Sequence, residues 1–147
     1  MTITVAIDDV LTSVLAERWK AASGKFENLA RVIPDGRFES ELVSGTRMCG
    51  DVLRHVAYWN RYIADSLNGR KADDSANELS RDDYPDKPRI LAELEKTNRE
   101  IANGMSRNHD AKALELIFMA FEHLSEHYGQ MVVYARMLEI IPPASRS

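Results

Sequence analysis

The sequence has few of the features that mark disulfide-bonded, membrane-spanning or nucleic-acid-binding proteins. Its one cysteine, Cys49, excludes an internal disulfide and suits a reducing compartment. The first residues, MTITVAIDDV, lack the basic residues of a signal peptide. No apolar run approaches the ~20 residues that a transmembrane helix needs, and a net charge of −4 offers no basic surface. We therefore expect a cytoplasmic protein with no membrane and no nucleic-acid partner.

Apolar residues recur at helical spacing in four segments, and we find no alternating strand pattern. Glycine, proline and capping residues mark where these segments begin and end. The spacing predicts helices from about Thr4 to Ile33, from about Arg47 to Leu67, from near Asp86, and from near Asp110 to Pro142–Pro143. A chain of 147 residues fits one domain. These elements predict an all-α protein, a four-helix bundle.

The charged linker before the third helix bears on the topology of this bundle. About 18 extended residues can span roughly 55 Å, whereas a helix of about 21 residues is only ~32 Å long. The linker, GRKADDSANELSRDDYP, can therefore run the length of the bundle. This length permits parallel second and third helices, the up-down-down-up topology, without requiring them.

Three of the four histidines fall on predicted inward faces. His123 and His127 lie four residues apart, so they share one face of the last helix. His55 lies on the apolar stripe of the second helix. If the two helices pack side by side, three imidazoles converge and could hold Zn, Ni, Cu or Fe(II). Hydrogen-bonded core histidines explain the same pattern, and both interpretations stay open. His109, in the polar turn SRNHD, is expected in solvent.

Other residues near these histidines have alternative roles. Gln130 lies one turn beyond His127 and could orient an imidazole or form a plain core hydrogen bond. Glu126 could accept a hydrogen bond from a ligand histidine or lie in solvent. Cys49 is expected to be a small buried residue rather than a ligand. Trp59 and Tyr62 are expected in the core or in a pocket wall.

The chain resembles the DinB/YfiT-like superfamily of metal-dependent helical-bundle enzymes. The resemblance covers nearly the whole chain and is strongest near its end. The segments that carry it are ARVIPDGRFE, GDVLRHVAYWNRYI, DYPDKPRILAELE and HLSEHYGQMVVYARMLEIIPPAS. The family pattern, one histidine in the second helix followed by HxxxH in the last, falls here on His55, His123 and His127. The resemblance implies an up-down-down-up bundle, often dimeric, with a divalent metal on these three residues, usually Ni or Zn.

For function, the resemblance implies a hydrolase or a transferase that uses a low-molecular-weight thiol, acting on a small molecule. The alternative is a non-catalytic binding module with a structural or sensory metal. A pocket beside the metal would favour the enzyme, whereas a fourth protein ligand would favour the structural role. A third interpretation is a metal-free bundle with hydrogen-bonded core histidines.

The segment MVVYARMLEIIPP is apolar nearly all round. A helix of that kind is buried, either in its own core or against another chain. This segment predicts a homodimer.

Overall fold

The computed structural model describes the backbone of residues 3–147 and the side chains from residue 9 onward. Four α-helices account for most of the chain: α1 (Ile3–Val32), α2 (Cys49–Leu67), α3 (Lys87–Met105) and α4 (Ala111–Met137). Two short 3₁₀ turns cover Asp35–Arg37 and Pro143–Ser145. No strand occurs among residues 3–147. The prediction of an all-α four-helix bundle is confirmed.

Local side-chain and backbone interactions determine where several of the helices begin and end. The Asp86 carboxylate accepts a hydrogen bond from the backbone N–H of Arg89, and Asp110 does the same for Ala113. Each thereby satisfies one of the free N–H groups in a first helical turn. Gly69, with φ of 70°, ends α2 in the left-handed conformation that glycine adopts without strain.

The predicted end of α4 at Pro142–Pro143 is wrong. The helix ends at Met137, and Glu139 takes a left-handed φ of 61°. The N–H of Glu139 donates to the carbonyl of Arg136 at 3.0 Å, and the N–H of Ile140 to that of Ala135 at 2.8 Å. These two bonds form a Schellman ending. An unusual backbone conformation at a glutamate therefore ends the helix before the prolines do.

In the bundle, α2 packs against both α3 and α4, and α1 packs against the same two helices. Arg61 pairs with Glu93, and farther along both helices the Asn68 side chain donates to the carbonyl of Glu100. The residue that lies later in α2 contacts the residue that lies later in α3, so the two helices run in the same direction. The core between the helices includes the fully buried residues Trp19, Phe26, Leu53, Ile63, Leu94, Ile101 and Ile117.

The linker between α2 and α3 has no helix or strand, as predicted, but it packs closely on α2. Leu79 is buried, and its N–H donates to the carbonyl of Arg54 at 3.2 Å. The Tyr58 hydroxyl donates to the carbonyl of Asp73 at 2.9 Å. The linker therefore covers one side of α2 along its length.

None of the described helices is both long enough and apolar enough to cross a bilayer.

Candidate metal centre

The three predicted ligand histidines meet between α2 and α4. The ring centroids of His55, His123 and His127 lie 4.6 to 4.9 Å apart. Each imidazole offers a nitrogen such that the three nitrogens lie within 4.8 Å of one another. Because α4 packs against α2, residues near the middle of both helices face each other. The structure thus brings together the three positions that the sequence pattern selected.

Two of the imidazoles are oriented by hydrogen bonds at Nδ1. His55 Nδ1 lies 2.6 Å from the backbone carbonyl of Asn77, and His127 Nδ1 lies 2.9 Å from Gln130 Oε1. Both partners are acceptors, so Nδ1 carries the proton in each ring and Nε2 keeps its lone pair. A metal-ligating histidine typically donates its other N–H in this way.

The third imidazole, His123, has an incomplete set of partners. Its Nε2 lies 3.0 Å from Nε2 of His55, and its buried Nδ1 has no hydrogen-bond partner among the residues that the structure describes. If His123 Nε2 donated to His55, its Nδ1 would be a buried acceptor with nothing to accept from. A cation placed among the rings would satisfy the Nε2 lone pairs that converge on it, and His123 Nδ1–H would then be the one donor of the three rings that the described chain leaves without a partner. Two imidazole nitrogens on one tetrahedral ion lie roughly 3.3 Å apart, close to the 3.0 Å between the Nε2 atoms of His55 and His123.

The environment of the cluster favours the neutral form of two of its imidazoles, those of His123 and His55. Burial, followed by the charges of His127, His55 and Arg47, lowers the pKa of His123 from 6.5 to about 3. Burial also lowers the pKa of His55, against the opposing effect of the Asn77 carbonyl. Neutral imidazole is the form that binds metal. The donor set therefore fits a borderline divalent cation such as Zn or Ni.

A chain of hydrogen bonds supports His127 from behind. Gln130 Nε2 donates to the Tyr134 hydroxyl at 3.0 Å. That hydroxyl lies 2.9 Å from Thr46 Oγ1 and 2.8 Å from the Arg47 carbonyl, both in the segment before α2. The sequence interpretation of Gln130 as a residue that orients an imidazole agrees with this contact. The chain also ties the beginning of α2 to the end of α4.

A cavity of about 320 Å³ opens beside the histidines. Its walls are Trp59, Ile63 and Met119, together with His55 and His123. The walls away from the two imidazoles are apolar, so the cavity suits an apolar group next to the cluster. No fourth histidine, cysteine or carboxylate joins the cluster among the described residues.

The linker residue Asn77 was missed by sequence reasoning. Besides holding His55 through its backbone, it accepts a hydrogen bond from Trp59 Nε1 on its side-chain oxygen at 2.9 Å. One residue thus positions both a candidate ligand and a wall of the cavity. Nothing in the spacing of a charged loop points to Asn77; the linker's length suggested only that it could run the length of the bundle.

The remaining candidates lie away from the histidines. Glu126 is exposed and forms no hydrogen bond with any of the three histidines. Cys49 is fully buried, and burial raises the pKa of its thiol to about 11, which agrees with the expected small core residue. Tyr62 packs against Trp59 with ring centroids 5.5 Å apart. His109, expected in solvent, is partly buried and donates from Nε2 to the Met105 carbonyl.

No protein-family model matches the sequence, and no curated protein is significantly similar to it. The function must therefore be argued from the three histidines and the cavity beside them.

Proposed function

We propose that this protein is a divalent-metal-dependent enzyme of the DinB/YfiT-like superfamily that acts on a small molecule. The observation that carries the proposal is the convergence of His55, His123 and His127, two of which have Nδ1 held by an acceptor. That arrangement leaves the Nε2 lone pairs of His55 and His127 free to bind a cation. Zn and Ni are the proposed metals because both accept imidazole nitrogen readily.

The cavity beside the cluster supports catalysis over a purely structural metal. A catalytic metal keeps one coordination position for water or substrate, whereas a structural metal is closed by four protein ligands. Three histidines and an adjoining cavity correspond to the first case. A metal in this position supplies a Lewis acid and lowers the pKa of a water or thiol bound to it. The proposed reaction is accordingly hydrolysis or transfer of a low-molecular-weight thiol.

The chain's own residues have two tasks in such a reaction. Asn77 and Gln130 hold His55 and His127 in the orientation needed for ligation. Trp59, Ile63 and Met119 keep water from one side of the site and offer an apolar surface to the substrate.

One observation favours a second candidate function, a metal-binding module without catalysis. The cavity wall contains no carboxylate or lysine that could act as a general acid or base. In that case the metal would stabilise the contact between α2 and α4, or the protein would act as a sensor of the metal's concentration. Turnover of any hydrolytic or thiol-dependent substrate that depends on His55 would exclude this candidate.

The first experiment is the metal content of the untagged protein by mass spectrometry. Near-stoichiometric Zn or Ni is expected in the wild type, and its loss in both His55→Ala and His123→Ala. His109→Ala is the matched control, because His109 lies away from the cluster and should retain the metal. If the wild type takes up no metal, even after incubation with Zn or Ni, the three histidines are hydrogen-bonded core residues and the metal proposal is wrong.

A homodimer remains part of the proposal. Within the apolar segment at the end of α4, Met131 is buried in the protein's own core, but Val133 and Met137 are 55% and 48% exposed. Ile141, just beyond the helix, is 51% exposed. An apolar surface of this kind supports contact with a second copy. Light scattering on the eluted protein should give twice 16.6 kDa; a species of 16.6 kDa would contradict the dimer.

A further inference from the structure

An arginine that is linked to the candidate metal centre by a chain of hydrogen bonds has incomplete partners of its own. Arg47 directly precedes Met48, the N-cap of α2, and its carbonyl accepts from Tyr134 at 2.8 Å. Tyr134 bonds Gln130, and Gln130 bonds His127, so the Arg47 backbone is tied to the histidines. The charge of Arg47 is also close enough to contribute to the lowered pKa values of His55 and His123.

The guanidinium of Arg47 lacks a hydrogen-bonded counter-charge. Its Nε is buried and has no hydrogen-bond partner in the described part of the chain. The carboxylate paired with it, Glu78, comes only to 3.9 Å from Nε, beyond hydrogen-bond distance. The side chains of Arg47 and Glu78 are 34% and 42% exposed, so this ion pair is also weakened by solvent.

Arg54, in the same part of the fold, shows what a structural arginine looks like here. Its guanidinium is buried and bonds Asp51 at 2.9 Å, Glu39 at 2.7 Å and the Tyr84 carbonyl at 2.9 Å. A buried charge with a full set of acceptors holds segments together. Arg47, with a buried donor that bonds nothing, is suited to receive an acceptor from a ligand instead.

The charge of the site also favours a ligand that carries acceptor groups. Three neutral imidazoles leave the full charge of a divalent ion uncompensated, and Arg47 adds another positive charge nearby. The cavity wall brings no carboxylate to offset it. A ligand that reaches both the metal and the arginine would therefore be favoured if it were an anion.

We infer that Arg47 is a substrate-binding residue that receives a carboxylate group carried on a small apolar skeleton. The planar guanidinium fork matches the two oxygens of a carboxylate. The apolar cavity formed by Trp59, Ile63 and Met119 accounts for the apolar part. Glu78 competes for the same guanidinium and is displaced when the ligand enters. This inference rests on the proposed metal-dependent function, since it places the anion next to the metal.

The test is calorimetric titration of the zinc-loaded protein with benzoate. In Arg47→Gln, benzoate affinity should fall by roughly tenfold or more, as expected for a lost hydrogen bond to a charged group. The zinc content should not change. Arg47→Lys keeps the charge but loses the fork, so an intermediate affinity is expected. Glu78→Gln should bind benzoate severalfold more tightly than the wild type.

The matched control is Arg31→Gln, which removes a paired, exposed arginine far from the histidines and should leave benzoate binding unchanged. Thermal unfolding of each variant shows whether it is folded. Equal benzoate affinity in the wild type and a folded Arg47→Gln variant would overturn the inference. Inorganic phosphate bound as tightly as benzoate would overturn the choice of a carboxylate on an apolar group.

Titration of the metal-free protein separates this inference from the proposed function. If the protein takes up no zinc, the metal proposal fails on its own. Benzoate binding that still depends on Arg47 would then support the anion site without the metal. Benzoate binding that is absent, or indifferent to Arg47, would overturn the anion site as well.

Discussion

Two clusters of buried polar side chains lie in different parts of the bundle, and they differ in how their donors match their acceptors. In the asparagine cluster, between α1, α2 and α3, Trp19 Nε1 donates to the Asn98 carbonyl at 3.0 Å. Asn60 donates to the Asn98 side chain at 3.0 Å, and Asn98 donates to Glu27 at 2.7 Å. In the histidine cluster, His55, His123 and His127 turn nitrogens toward one another.

This difference distinguishes a structural cluster from a candidate binding cluster. Donors meet acceptors in the asparagine cluster, leaving only Asn60 Oδ1 without a partner there. Such a cluster is stable as it stands. The histidine cluster brings lone pairs together and leaves His123 Nδ1 unpartnered. Lone pairs that converge in this way are suited to hold a cation. Changes to the first cluster should therefore alter folding, and changes to the second should alter metal binding.

Replacing His123 with Leu has the largest expected effect. Zinc at one hundred times its dissociation constant adds about 2.7 kcal/mol to the free energy of unfolding of the wild type, and the variant should gain none of it. Without metal, the variant should be as stable as the wild type or more so, because leucine removes a buried nitrogen without a partner. Urea unfolding with and without zinc measures both quantities. A metal-free variant far less stable than the metal-free wild type would make the histidines structural.

Replacing Asn98 with Ala should have the opposite pattern. The change leaves Asn60 and Glu27 without their partner, which costs about 1–3 kcal/mol of unfolding free energy. Zinc affinity should stay within experimental error of the wild type, because the asparagine cluster does not touch the histidines. Urea unfolding and a zinc titration of the same preparation provide the two readings. A loss of zinc affinity in this variant would show that the clusters are coupled.

Replacing Gln130 with Leu should weaken zinc binding by about 10–100-fold without abolishing it. The change removes the acceptor that holds His127 Nδ1 but leaves all three imidazoles in place. Competition with a chelating dye measures the affinity. Glu126→Gln is the control on the same helix; because Glu126 is exposed and bonds no histidine, its affinity should equal that of the wild type. Equal affinities for all three proteins would leave Gln130 as an ordinary hydrogen-bonding residue.

Acidification should destabilise the metal-free protein through the histidine cluster, with a smaller effect near neutral pH than the substitutions above. Burial and neighbouring charges, those of His127, His55 and Arg47, lower the pKa of His123 from 6.5 to about 3. A lowered folded-state pKa means that the contribution to stability is present above about pH 6.5 and is lost as pH falls toward 3. Urea midpoints at about pH 7.5 and about pH 4.5, in chelator, should differ less for His123→Leu than for the wild type. If the urea midpoint falls equally in both proteins, the pH effect arises from groups other than His123.

Much of the fold could be predicted from local patterns. Helical periodicity and the caps at Asp86, Asp110 and Gly69 depend on residues only a few positions apart. They can therefore be recognised in a single sequence. The end of α4 was misplaced because Glu139 adopts a conformation that glycine usually marks. Of the site, the shared face of His123 and His127 followed from their spacing. Asn77 could not be predicted, since its contacts join a loop to residues about 20 positions away.

The sequence by itself determined the four helices, the three histidines on inward faces and the lack of a disulfide. Each of these depends on residue type and on spacing within one turn or one element of the chain. Only the tertiary structure decided that α2 and α4 face each other, that Asn77 holds His55, and that His123 Nδ1 and Arg47 Nε are left without partners. These features depend on contacts between segments far apart in the chain, and helical periodicity contains no information about which inward faces meet.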